Sequence, residues 1–290
     1  MRRVITSIAG LIPNRAKAIL LGSPSKPSRP AALIHRILNR IPGEPFPCLP
    51  CAGALEGYRM KVDWCKFRAF IYGTWEPEIV KAVTEVVHEG FVAIDVGAHL
   101  GYYALILSRM VGSNGRVIAF EPIPSNFRIL SDNIGLNHCE NIQAVNKAVS
   151  DRSGQFEGTL PTESTVPSSF TLLKNEGTNK IRVETVSLDD FLKDWDRPVD
   201  FIEIDVEGAE GLVLEGARKT IASYHPIMLV EVHHFGARLE SSGIPRQLME
   251  LDYKLDWLLR WKDTSHVLAT WKGRSASCAS EDGSRQQYHD

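Results

Sequence analysis

The chain has 290 residues, 43% hydrophobic and 23% charged, which is ordinary for a soluble globular protein and long enough to bury a full core. Its net charge of −2 gives no global field to attract nucleic acid. Five cysteines, at 48, 51, 65, 139 and 278, are too scattered for a disulfide framework, and no stretch reaches the ~18 apolar residues of a membrane span.

Residues 1–53 read as a basic, Pro/Ser-rich N-terminal extension with a short helix at 31–40. Residues 1–43 hold eight Arg and Lys and no Asp or Glu, which leaves −10 for the remainder. The opening MRRVITSIAGLIPNRAKAILLG has a basic head and an apolar run, broken at Asn14, Arg15 and Lys17. It lacks a signal-peptide core and cleavage site. The expectation is a cytoplasmic protein, with peripheral contact to an anionic membrane through this segment as the lesser reading. Cys48-Leu49-Pro50-Cys51 is a C-x-x-C. Pro47 and Pro50 oppose the helix start that a redox pair needs, and no second pair completes a zinc site, so it reads as two thiols in a loop.

A folded domain is expected over 54–272. Residues 58–71 alternate well enough for one or two strands. The segment YGTWEPEIVKAVTEVVHEG carries Ile79, Val80, Val83, Val86 and Val87 at helical spacing, opening near Pro77 and closing at Gly90. FVAI then reads as a buried parallel strand ending in Asp95, followed by a tight turn with Gly97, Ala98 and Gly101 and an apolar helix. RVIAFEP is the next strand, with Glu121 at its tip. A helix over 124–136 leads to a third strand, NIQAVNKAVSD. A strand near 154–158, a long loop over 159–179 and a strand over 180–186 follow. A loop of that length inside a domain is expected to be a substrate lid. Ser187 then caps a short helix. DFIEIDVEGAE (200–210) is the fourth core strand, 209–221 a helix, and 226–234 the fifth strand. After a helix at 245–252 comes a terminal hairpin, and the tail over 273–290 reads as disordered. Alternating strands and helices mean an α/β fold with a parallel sheet, closed by an antiparallel hairpin.

Ligands of open α/β sheets bind beyond the carboxyl ends of the strands, and an acid at the tip of the second strand is placed to bind ribose hydroxyls. The glycine turn does not meet G-x-G-x-x-G, which argues against a dinucleotide. Alternation puts Glu203 and Asp205 on one face with Phe201, and Glu231 and His233 on one face of the next strand. If those strands are neighbours, three carboxylates and an imidazole meet at one edge. Such an edge needs water, a cation or a positively charged ligand. A divalent metal held by Asp205, Glu207, Glu231 or His233 is the lesser reading; no metal is the main one.

DVGAHLGYYALIL, VIAFEPIPSNFRIL, NIGLN, SLDDFL, DFIEIDVEGAE and VLEGA, in that order, resemble the FkbM family of S-adenosylmethionine-dependent O-methyltransferases. GTWEPEIVKAV is similar to its lead-in, so the resemblance covers roughly residues 73–234. It implies the class I methyltransferase (Rossmann-like) fold with a mostly parallel seven-stranded sheet. It also implies S-adenosylmethionine as cofactor and a hydroxyl acceptor on a sugar, glycolipid glycan or polyketide-like small molecule. By position, Asp95, Gly97, Ala98 and Gly101 would shape the methionine and sulfonium end and Glu121 would bind the ribose. Val149, with Ser150 and Asp151, would cradle adenine. Asp205 and Glu207 fall in the family's acidic motif after the strand. Family members commonly carry Lys where this chain has Glu203, which reverses a charge beside the site. The expected chemistry is in-line transfer to a hydroxyl, with His233 as general base held by Glu231 or Asp205. The absence of N-P-P-Y and of a basic groove argues against a nucleic-acid acceptor. A nicotinamide oxidoreductase and a non-catalytic cofactor-binding scaffold are the alternatives. Nothing in the sequence fixes the oligomeric state.

Overall fold

A computed structural model of the chain describes residues 45–50, 52–160 and 179–273. The basic extension before residue 45, Cys51 of the C-x-x-C pair, nearly all of the expected lid and the tail beyond 273 lie outside the described residues.

Strands β1 (Phe46–Cys48) and β2 (Met60–Val62) form an antiparallel pair. The strands expected over 58–71 reduce to β2, because α1 (Trp64–Tyr72) takes the rest. Phe67, Phe70 and Ile71 are all buried at helical spacing, and the Asp63 carbonyl accepts the Lys66 and Phe67 N–H groups at 3.1 and 2.9 Å. Helix α2 (Pro77–Val86) starts on its proline and buries Ile79 and Val83.

The core then alternates: β3 (Val92–Val96), α3 (Tyr102–Val111), β4 (Arg116–Phe120), α4 (Pro124–Leu136) and β5 (Ile142–Val145). The expected third strand breaks after Val145. Asn146 turns its amide onto the carbonyls of Glu121 and Pro122, at 2.8 and 3.1 Å. The remainder becomes β6 (Ala148–Val149), in a separate three-stranded sheet with β7 (Gly154–Leu160) and β8 (Asn179–Val186). Helix α5 (Leu188–Phe191) has the expected cap, with Ser187 Oγ accepting the Asp190 N–H at 3.1 Å. Strand β9 (Phe201–Ile204) follows.

The single helix expected over 209–221 is two, α6 (Glu210–Gly216) and α7 (Arg218–Tyr224), broken at Ala217. Gly216 sits so close to the Ser150 carbonyl that a Cβ there would lie 2.0 Å from its oxygen, which fixes where α6 ends. The chain closes with β10 (Ile227–His233), a 3-10 turn at Leu239–Ser242, α8 (Ile244–Glu250), β11 (Tyr253–Arg260) and β12 (Thr264–Trp271).

The main sheet has seven strands in the order β11-β12-β10-β9-β3-β4-β5. The five from β10 to β5 are parallel, and β12 and β11 add the antiparallel hairpin. This is the class I methyltransferase fold, as expected. Strict alternation sorts the side chains. Ile94, Ile202, Ile204, Val230 and Val232 pack on one face with α5 to α8. Ala93, Phe201 and Leu229 pack on the other, under α1 to α4. From β3 the chain moves outward through β4 and β5, then returns to place β9 on the opposite side of β3. The crevice between β3 and β9 is therefore the switch point where such sheets bind ligands. Among the described residues, no helix is long and apolar enough to cross a membrane.

Candidate active site

A cleft of about 450 Å³ opens at the carboxyl ends of β3, β4, β9 and β10. At its floor the glycine loop after β3 is pinned to β4. Gly97 and Ala98 both donate to the Phe120 carbonyl, at 3.0 and 2.9 Å. Gly97 has φ +100°, and a Cβ there would lie 1.8 Å from the Asp205 carbonyl oxygen. That contact requires glycine, since the loops after β3 and β9 touch backbone to backbone.

Glu121 anchors the same loop from its other side. Its carboxyl accepts the His99 and Ile123 N–H groups, each at 2.9 Å. Burial pushes it up to about 8, against the pull of those two backbone bonds. A carboxyl has about four acceptor positions, so room is left for a ligand hydroxyl. Asp95 and Glu203 are directly paired across β3 and β9, 1% and 3% exposed. Burial pushes Asp95 up to about 7, opposed by a hydrogen bond from Glu203; Glu203 itself is raised by burial and then by the charge of Asp95. Two carboxyls this close and this buried both resist ionisation. Asp95 Oδ2 is buried and has no hydrogen-bond partner.

His233 stands at the end of β10 with its side chain 6% exposed. Its Nδ1 lies 2.9 Å from Oε1 of Glu210, a residue only 1% exposed in the first turn of α6. The same oxygen accepts the Gly208 N–H at 2.8 Å, which fixes the carboxylate. In the neutral ring, donation from Nδ1 to this oxygen goes with an unprotonated Nε2. Nε2 faces Glu207, Asp205 and Glu231 at 3.5, 3.9 and 3.9 Å, beyond hydrogen-bonding distance. Burial opposes charge on this ring, but the hydrogen bond and charge of Glu210, then Glu231 and Glu207, raise it above the ordinary histidine value.

The carboxylates around Nε2 divide into two kinds. Burial works against the charge of Glu231, but the hydrogen bond and charge of His266 more than offset it and hold Glu231 below the usual range. Asp205 is raised well above its usual range by burial and then by Glu231 and Glu207, and its Oδ1 is buried without a hydrogen bond. Glu207 and Glu76 are also raised by burial first, opposed by His233 and His266 respectively. Glu76 receives the Tyr103 hydroxyl at 2.7 Å and lies 3.6 Å from His266 Nε2. By donor type, Asp205–Glu231–His233 and Glu76–Glu231–His266 could each hold a cation, with ligand atoms within 4.8 Å of one another.

Four non-glycine residues lining the cleft have left-handed backbones: Glu76, His99, Glu207 and Phe235, with φ of 44°, 49°, 54° and 48°. Non-glycine residues rarely adopt this conformation, and such strain gathers at functional sites. The mouth is aromatic. Trp75, Phe235 and Trp261 line it at 38%, 49% and 51% exposure. Phe235 lies 5.8 Å from the His233 ring, and Trp261 lies edge-on to His266 at 5.5 Å.

Of the residues expected at the site, Asp95, Gly97, Ala98, Glu121, Val149, Asp205, Glu207, Glu231 and His233 all line the cleft. Gly101 does not: it has φ +90° at the start of α3 and faces Leu130, where a Cβ would meet Cδ1 at 2.7 Å. Ser150 and Asp151 also lie off the cleft lining, bonded to each other at 3.0 Å beside Gly216. The partner that orients His233 is Glu210, not Glu231 or Asp205. Glu210, Glu76 and His266 escaped the sequence reading. Only the fifth-strand pattern E-x-H hinted at such a cluster, because the partners of that strand come from α6, the α1–α2 turn and the terminal hairpin.

The fit to S-adenosylmethionine can be judged from these groups. The orphaned Asp95 Oδ2, the carboxylates beside it and the spare acceptor positions of Glu121 suit a ligand with a positive centre and a ribose.

The described features agree with comparisons to known proteins. A model of the methyltransferase FkbM domain matches residues 95–260. The methyltransferase sdnD of Sordaria araneosa is 30% identical over 153 residues, covering 42% of this chain and 59% of that protein. The hexuronic acid methyltransferase AglP of Haloferax volcanii is 28% identical over 165 residues, covering 54% of this chain and 62% of that protein. The chain thus spans about three-fifths of the length of these relatives. Among solved structures, FkbM from Methylobacillus flagellatus KT aligns with 69% of this chain and 52% of its own, at 17% identity and a TM-score of 0.45.

Proposed function

Because this chain belongs to the FkbM methyltransferase domain family, we propose that it transfers a methyl group from S-adenosylmethionine to a hydroxyl of a small-molecule or glycan acceptor. When bound, the cofactor supplies an electrophilic methyl on a sulfonium. Asp95, Gly97, Ala98, Glu121, Val149 and Asp205 hold it along the β3–β9 crevice. Glu121 takes the ribose hydroxyls while bracing the glycine loop through the His99 N–H. Val149, 2% exposed in β6, offers an apolar wall for the adenine.

His233 is the proton acceptor. The observation that carries this reading is its anchored ring: Nδ1 tied to Glu210 at 2.9 Å, with Nε2 open to the cleft. An acceptor hydroxyl hydrogen-bonded to Nε2 loses its proton there as the new bond forms. The charges of Glu210, Glu231 and Glu207 favour the imidazolium that results. Glu210 is the positioning residue. The remaining acceleration comes from alignment in a partly dried cleft.

Calorimetric titration of the purified chain with S-adenosylhomocysteine and, separately, with NAD tests the reading. Micromolar-range binding of the first alone is expected. Binding of NAD alone overturns it in favour of an oxidoreductase, and binding of neither overturns the cofactor assignment.

A further inference from the structure

The acceptor end of the cleft is far richer in carboxyl groups than methyl transfer to a neutral alcohol requires. Among the described residues, eight carboxyl groups line the cleft as a whole, against one lysine, Lys147. That lysine already lies 3.0 Å from Glu184, outside the lining. A bound S-adenosylmethionine brings a carboxylate that offsets its own ammonium group, so it adds one net positive charge. Asp95 and Glu203 sit at the end next to the glycine loop, where that charge belongs. Asp205, Glu207 and Glu231 remain around His233 Nε2, and Glu231 and Glu76 flank His266.

Two further observations point to what fills this space. The His233 ring is 6% exposed, and its Nε2 looks into the cleft without a hydrogen bond, while Asp205 Oδ1 is buried and equally unbonded. Among the described residues, no donor reaches Asp205 Oδ1. The mouth is also framed by three exposed aromatic side chains, Trp75, Phe235 and Trp261. Aromatic faces stack on the C–H faces of sugar rings and attract ammonium groups through their quadrupole.

We propose that the acceptor is an amino sugar, its ammonium group held among Asp205, Glu207 and Glu231 and its ring seated against Trp261 and Phe235. The inference rests on the methyl-transfer reading and narrows it. The ammonium supplies donors to Asp205 Oδ1, which has none among the described residues, and to Glu207 and Glu231 beside it, while one ring hydroxyl reaches His233. A uronic acid, the substrate class named for the Haloferax relative, would bring a carboxylate into a ring of carboxylates.

The test uses the chain saturated with S-adenosylhomocysteine, in EDTA at pH 7, titrated with glucosamine, glucose and glucuronate. Tryptophan fluorescence and heat are both followed. Glucosamine is expected to bind at least tenfold more tightly than glucose, with a fluorescence change, and glucuronate least tightly. N-acetylglucosamine, which lacks the charge, should fall back to the glucose value. Glu207→Gln should lower glucosamine affinity about tenfold and leave S-adenosylhomocysteine affinity unchanged. Equal binding of all three sugars, no measurable glucosamine binding, or a preference for glucuronate overturns the inference. Glucuronate binding that appears only after Mg²⁺ or Mn²⁺ is added also overturns it, in favour of a cation site. Failure of S-adenosylhomocysteine to bind at the outset would instead strike the methyl-transfer reading itself.

Discussion

Glu210 and His233 are 23 residues apart in the chain, yet Oε1 of one and Nδ1 of the other are 2.9 Å apart, with both side chains almost fully buried. The link joins the first turn of α6 to the last residue of β10. It selects the tautomer that leaves Nε2 free, and it raises the affinity of the ring for a proton. Glu210→Gln keeps the shape and removes the charge. Turnover should drop about 10²-fold with S-adenosylhomocysteine affinity unchanged. Activity through a neutral base rises with pH through its pKa, and losing Glu210 lowers that pKa. The rising limb of the pH–rate profile should therefore move to lower pH. A limb that stays in place would leave Glu210 with a structural role only.

His233→Ala should abolish turnover by about 10²–10⁴-fold while cofactor affinity stays within a few-fold of the parent. Matched loss of both would mean that His233 shapes the cofactor site and takes no proton.

The Asp95–Glu203 pair and Glu121 make stability depend on pH. Asp95 is raised to about 7 and Glu121 to about 8, from unfolded values near ~4. The folded protein binds these protons more tightly than the unfolded chain, so their contribution is complete below about 4 and fades as pH climbs to about 8. His233, also raised, acts in the same direction. Glu231 is held low and acts oppositely, but only at more acid pH. Thermal unfolding of the ligand-free protein should give a higher Tm at pH 5.5 than at pH 8. Glu203→Gln retains a donor for Asp95 and removes one titrating group, and it should flatten that slope. A Tm that rises with pH over this range would contradict the raised values of these buried carboxyls.

Gly97→Ala should cost more than an ordinary loop substitution. The new methyl meets the Asp205 carbonyl at 1.8 Å, and the residue must hold φ +100°. Strain of this kind costs on the order of 1–3 kcal/mol before any clash is counted. The two loops must part for the methyl to fit, so cofactor binding should fall with stability. The contrast is Gly90→Ala, whose Cβ meets nothing within 4 Å although its φ is +86°; it should lose stability alone. Calorimetry and thermal unfolding of both variants decide the matter.

The parallel core was readable because buried strands and their glycine turns are local patterns. VAIDV, RVIAF and FIEI are short apolar runs ended by an acid or a turn, and each is a core strand. The facing of Glu203, Glu231 and His233 followed from alternation alone. Glu210 was not readable in the same way. Its neighbours in sequence are a loop and a helix start, where an acid is ordinary. Only the return of α6 beneath β10 gives it His233 as a partner. Ser150 and Asp151 failed for the converse reason. They continue the strand that enters the site, but Asn146 breaks that strand and the chain turns under α6. Gly101 serves helix packing against Leu130, a role that the same motif letter cannot separate from ligand contact.

The four left-handed residues at the cleft also forecast how this protein would respond to selection for heat resistance. Glycine or asparagine accepts that backbone at lower cost than His99, Glu207 or Phe235. A screen scored only by survival on heating would therefore collect replacements at these positions. Each would relax the loops that present Glu76, Glu207 and the aromatic mouth. Turnover would decline in the same clones, and the map of such trade-offs would trace the outline of the cleft without any ligand being known.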